Sequence, residues 1–237
     1  MNKLVIFLFV AVIIVNSGFT TSPRINPSSS SKCQAISAEE VAKGLIEALQ
    51  VGAKNSAEKA SKTDGFYKNA EIFIPFPSDA IKVKNALEKT GMKKPVVEFE
   101  LSMNRAAEEA SKKALPILID AIKGISFTDA MSILNGSKSA ATSYLKEKTS
   151  SKLQIAFKPI VKEAISKVQV TKYWENVAKA YNKVNVLAGG KKINPDLEAY
   201  ITDKAVEGLF KLIAKEEEQI RTNPTARVTD LLKKIFL

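Results

Sequence analysis

The groups with chemical potential in this chain are carboxylates and guanidiniums set on helical apolar stripes. Toward the C-terminus, Leu209 and Ile213 are followed at the next four-residue steps by Glu217 and Arg221, which places a carboxylate and a guanidinium one turn apart on one face. Arg227 and Asp230 repeat the arrangement at a spacing of three, just beyond Pro224. In the middle of the chain, Asn104, Arg105, Glu108 and Glu109 interrupt the apolar pattern between Met103 and Ala106-Ala107. If they converge, these groups form a buried or cleft-lining polar network. One role for it is chemical, with Glu108 or Glu217 as a perturbed acid held by Arg105, Arg221 or Arg227. The other is structural, a set of ion pairs that orient helices. The structural role is preferred, because carboxylates beside arginines more often neutralise them than react. No catalytic residue is therefore assigned; were the protein an enzyme, Glu108 and Glu217 would be its acids.

Composition narrows the chemistry further. The absence of histidine excludes serine–histidine–aspartate and cysteine–histidine catalysis, the zinc-protease helix motif and histidine-ligated di-iron bundles. A single cysteine removes thiolate metal sites and iron–sulfur clusters. No phosphate loop, spaced-glycine fingerprint or calcium-loop spacing of acids is present, so no metal and no cofactor is assigned. Carboxylate chemistry, a serine–lysine pair, oxygen-ligated calcium or magnesium, or no chemistry at all survive. The net charge of +11 draws the surface to anionic partners such as phospholipid headgroups and cell-wall polymers. The lysines are scattered and aromatic residues do not interleave with them, so no specific nucleic acid is expected.

At the N-terminus, Lys3 precedes an apolar run from Leu4 to Val15 that ends at Asn16-Ser17-Gly18. The run is short for a membrane span and suits a signal peptide. The expectation is a signal peptide over residues 1–17, cleaved after Ser17, and an exported chain, periplasmic or secreted; an uncleaved anchor is the alternative. Lys32 before Cys33 does not fit a lipoprotein, and Cys33 reads as an inert thiol. Residues 18–36, with four consecutive serines, have little to bury and form a disordered lead-in. Residues 37–237 suffice for one helical domain with its own core, and no transmembrane span is expected in the mature chain.

The elements that must position the polar groups follow from periodicity and caps. Ser37-Ala-Glu-Glu40 is a capping box for a helix to about Lys62, ended by Thr63-Asp-Gly65. Phe66 to Pro77 is extended and aromatic, and its Phe66, Phe73 and Phe76 either anchor a hydrophobic ligand or lid the core. Ser78 opens a helix to about Lys89, with Gly91 as terminator. Further helices span Val96–Lys113, a segment through Ile122 begun or kinked by Pro116, and a short one capped by Ser126 and ended by Asn135-Gly136. Helical pattern then runs from Ala140 to Val168 with Pro159 as a kink or break, and from Thr171 to about Val184. Asn194-Pro195-Asp196 starts a long helix to about Thr222, and a short one follows Pro224. Gly44, Gly52 and Gly208 inside helices are read as points of close helix–helix approach. The fold class is all-α, a multi-helix bundle with one extended aromatic loop and a long C-terminal helix.

From Met103-Asn-Arg-Ala-Ala-Glu108 onward the chain resembles the bacterial exported proteins grouped as domain of unknown function 4197. Asp64-Gly-Phe-Tyr67, Asp129-Ala-Met-Ser-Ile-Leu-Asn-Gly136, Phe157-Lys-Pro159, Glu216-Glu-Glu-Gln-Ile-Arg221 and Pro224-Thr-Ala-Arg227 carry the same resemblance, which covers nearly all of the mature chain. It implies a helical envelope protein and singles out Asn104, Arg105, Glu108, Asn135, Thr142, Tyr200, Glu217, Arg221 and Arg227 as matches to the family's polar motifs. The leading functional expectation is a non-enzymatic binding or structural module for an anionic envelope component or envelope protein. The alternatives are a carboxylate-dependent hydrolase of an envelope polymer and a carrier of an apolar ligand.

Overall fold

Capping boxes open the first and fifth helices of the computed structural model, which describes residues 37–78, 81–167, 174, 178–179, 181–183, 192, 196–227 and 233. Among these residues there are seven α-helices and no strand, an all-α fold. In α1, Ala38–Ser61, the Ser37 hydroxyl accepts the Glu40 N–H at 3.2 Å and the Glu40 carboxylate accepts the Ser37 N–H at 2.9 Å. The chain leaves α1 through Asp64, at φ 65, and Gly65, where a Cβ would lie 2.3 Å from the Lys59 carbonyl oxygen. Only glycine fits so close to a helix end.

The aromatic stretch follows; contrary to the extended segment expected, it runs through hydrogen-bonded turns from Phe66 to Ile72, with Asn69 N bonded to Phe66 O at 3.1 Å and Phe73 N to Asn69 O at 2.8 Å, because its backbone groups pair locally. Next comes α2, Ile81–Leu87, which passes through a π-helical segment, Glu88–Met92, into α3, Lys93–Ser111. Gly91 at φ 87 makes the break, as expected of a terminator; the start assigned to Ser78 lies beside residues 79–80, outside the described set. Pro116 sits in the first turn of α4, Ala114–Lys123, so it begins that helix rather than kinking the one before. Ser126 and Asp129 form the capping box of α5, Phe127–Leu134. Helix α6, Ala140–Ser166, continues through Pro159, so of the expected kink or break the break does not occur: Pro159 is exposed, on a side of the helix where the carbonyl that loses its N–H partner faces solvent. Helix α7, Leu197–Thr222, is capped by Asp196 and not by Asn194, because the Asp196 carboxylate accepts the Ala199 N–H at 2.9 Å. Most of the helix expected over Thr171–Val184, the Gly189-Gly190 loop and nearly all of the last helix lie outside the described residues.

Helix α6 is the hub, packing against α3, α4, α5 and α7. Its buried positions Ala141, Leu145, Thr149, Leu153, Phe157, Val161 and Ile165 recur at every fourth residue. A four-residue step overshoots one turn by about 40°, so the buried line winds roughly 240° around the helix over its length. Different neighbours therefore cover successive parts of one helix. Helix α1 packs chiefly on α7 and α4.

The aromatic stretch lids this core. Phe66 and Phe76 are fully buried, and Phe76 meets Phe99 and Trp174 edge-on at centroid distances of 5.6 and 5.5 Å. Each contributes about 1.5–3 kcal/mol through burial. Phe66 and Phe76 are thus buried in the core; Phe73 is half-buried, against Tyr67. Gly208 serves the same packing: a Cβ there would be 2.7 Å from Phe66 Cε1, so the close approach is to the loop rather than to a helix.

Candidate functional site

Helix α3 holds the aromatic stretch through a polar ladder. Glu100, Asn104 and Glu108, four residues apart, lie on one face, and each accepts loop N–H groups that no strand partner satisfies. Glu108 Oε1 accepts from Phe66 N and Tyr67 N, both at 3.1 Å. Asn104 Oδ1 accepts from Ile74 N at 2.8 Å while its Nδ2 donates to Ile74 O at 3.0 Å. Glu100 accepts from Phe76 N at 3.3 Å and pairs with Lys84 at 2.7 Å. Arg105 spans Glu108 and Asp64, both at 2.6 Å, and stacks over Tyr67. Hydrogen bonds from Lys68, and then from Arg105, hold Asp64 below the usual carboxylate range. Tyr200 reaches the same loop from α7, its hydroxyl donating to Pro75 O at 3.1 Å.

A second group joins helix ends. Ser139 at the start of α6 makes no side-chain cap; Glu217 of α7 replaces it. The Glu217 carboxylate accepts from Ala141 N at 3.1 Å, Thr142 N at 2.9 Å and the Thr142 hydroxyl at 2.7 Å. Arg221 pairs with Glu217 at 2.9 Å and donates to the carbonyls of Ile133 and Leu134 at the end of α5. The negative group thus faces a helix N-terminus and the positive group a C-terminus, as the helix dipoles favour. Arg227 donates to the carbonyls of Ile220 and Arg221, at the end of α7. Asn135 bonds back to Met131 O in its own helix.

The polar residues singled out from the sequence therefore form two clusters, not the single one expected. Asn104, Arg105, Glu108 and Tyr200 fix the loop; Thr142, Glu217, Arg221 and Arg227 fix the ends of α5, α6 and α7, and Asn135 stays within α5. The separation follows from α7: Phe66, bonded to Glu108, packs on Gly208, nine residues or about 13 Å along the axis from Glu217. Glu108 is 4% and Glu217 8% exposed, and both oxygens of each are engaged. The Asp230 partner expected for Arg227 lies outside the described residues.

Two cavities border these clusters. The first, about 20 Å³ between α1, α6 and α7, ends on Glu217 and Arg221 and has room for about one water. The second is a groove of about 480 Å³ between the end of α1, the loop and α7. Lys59, Lys62, Lys68 and Lys215 ring it, with Asp64, Asn69 and Glu71 between them and Leu212 as an apolar wall. Lys59 pairs with Glu216, Lys68 with Asp64 at 2.8 Å and Lys215 with Glu71 at 2.6 Å. Neither this groove nor the roles of Asp64 and Glu100 is marked by a local sequence motif. The four-residue spacing of Glu100, Asn104 and Glu108 was a usable signal; nothing in sequence joins residues 59–71 to 212–215.

Among the described residues, no group of three or more histidine, cysteine, aspartate or glutamate side chains could hold a metal ion, and no helix is long and apolar enough to cross a membrane. No curated protein and no solved structure matches the chain. A family model described as a protein of unknown function (DUF4197) matches residues 35–237, and the chain belongs to that family.

Proposed function

We propose that this protein is an exported, non-catalytic module that binds an anionic component of the cell envelope in the lysine-ringed groove. The observation that carries the reading is that groove: four lysines from three separate segments line a volume in the range of ligand sites, and Lys62 has no carboxylate partner among the described residues. The two conspicuous carboxylates, by contrast, are spent on loop and helix-end hydrogen bonds. Hydrolysis through Glu108 or Glu217 would need oxygens that are already engaged, and a water-sized cavity does not admit an apolar ligand of lipid size. Export is supported by Lys3 and the apolar run Leu4–Val15.

The test is co-sedimentation of the exported protein with isolated envelopes across a salt series, beside a variant carrying Lys62→Glu, Lys68→Glu and Lys215→Glu. The expected result is salt-sensitive binding that the variant loses. Equal binding of both proteins would overturn the reading.

A further inference from the structure

Resting on that assignment of the groove, we infer that its ligand is anionic through phosphate groups rather than carboxylates. The first argument is the inventory of unused hydrogen-bonding groups. Lys62 Nζ and the Asn69 Nδ2 amide have no partner among the described residues, while Asn69 Oδ1 is held as the acceptor of the Glu71 N–H at 3.1 Å. The carboxylates on the walls, Asp64 and Glu71, already accept from Lys68 and Arg105 and from Lys215. Apart from Glu71 Oε2, the side-chain groups left unused in the groove are donors, which serves an anion better than a neutral glycan, whose hydroxyls need acceptors as well.

The second argument is geometric. A planar carboxylate is matched by the two parallel N–H groups of an arginine fork. The arginine beside this groove, Arg105, has its fork occupied by Asp64 and Glu108. The remaining cations are ammonium groups, point charges on flexible stems, and they approach from the end of α1, from the loop and from α7. The donors left without a partner, Lys62 Nζ at the end of α1 and Asn69 Nδ2 in the loop, come from two walls, with the carboxylate-paired Lys68 and Lys215 beside them, and separated donors of this kind suit a tetrahedral oxyanion whose oxygens point apart. The Lys215–Glu71 pair is exposed on both sides and weak, so a phosphate can draw that cation from its carboxylate.

The experiment titrates the purified exported protein with three probes: inorganic tripolyphosphate, phosphatidylglycerol vesicles and polygalacturonate at matched charge. It is repeated with Lys62→Gln/Lys215→Gln, both exposed positions at which folding is checked by circular dichroism. The expected result is binding of a phosphate probe at least tenfold tighter than polygalacturonate, weakened at least tenfold in the variant. Binding of vesicles but not tripolyphosphate assigns the phosphate to a lipid headgroup, and the reverse to a soluble or polymeric phosphate; either supports the inference. Equal, groove-dependent binding of polygalacturonate would overturn the phosphate class and leave the groove assignment standing. No binding, or binding identical in the variant, would overturn both.

Discussion

Truncation of Glu217 is the sharpest test of whether the conspicuous carboxylates are structural. Glu217→Ala leaves the Ala141 and Thr142 N–H groups at the start of α6 without their acceptor, and it leaves Arg221, with a side chain 16% exposed, without its counter-charge. Removing one partner of a buried ion pair costs about 3–5 kcal/mol. The lost helix cap is part of the same change and is not added to it. For a chain of this size about 1 kcal/mol shifts the melting temperature by roughly 2–4 °C, so the expected fall is roughly 6–20 °C. The assay is thermal and denaturant unfolding followed by circular dichroism, with exposed Glu218→Ala as a control expected to stay within about 0.5 kcal/mol. Pairing Glu217→Leu with Arg221→Met should recover part of the loss, because no uncompensated charge then remains buried. A fall for Glu217→Ala of less than about 2 °C would refute the reasoning.

Four further variants test the same geometry. Asn104→Ala orphans the N–H and C=O of Ile74, costing about 2–6 kcal/mol at roughly 1–3 for each buried group, and limited proteolysis should then cut within residues 66–77; an uncut loop would contradict the ladder. Gly208→Ala places a Cβ 2.7 Å from Phe66 Cε1 and should destabilise by about 1–3 kcal/mol. Gly52→Ala finds its nearest neighbours at 3.7 and 3.8 Å and should stabilise by about 0.5–1 kcal/mol, so equal signs in denaturant titrations would undo the argument. Asp64, depressed by Lys68 and Arg105, contributes stability that is present above its unfolded value of about 3.9 and is lost as pH falls through the lower folded value. Asp64→Asn should therefore flatten the acid side of the stability profile below about pH 4, and an unchanged slope there would exclude that contribution.

The sequence alone determined the local elements. Ser37 with Glu40 and Ser126 with Asp129 are caps whose donors and acceptors lie within one turn, so the helices they open were legible without a fold. The i,i+4 pairing of Glu217 with Arg221 was legible for the same reason. The pattern at Pro159 leaves a kink or a break open, because tolerance of its missing hydrogen bond depends on which side of α6 faces solvent. The partners of the polar groups, by contrast, are set by the packing of distant segments. Glu217 meets Ala141 and Thr142 across 76 and 75 residues of sequence, Glu108 meets Phe66 across 42, and Lys215 meets Glu71 across 144. Periodicity records which face of a helix turns inward but not which neighbour arrives there, since that depends on how whole elements pack. For that reason one expected cluster became two, and a groove ringed by lysines from distant segments emerged only in the folded chain.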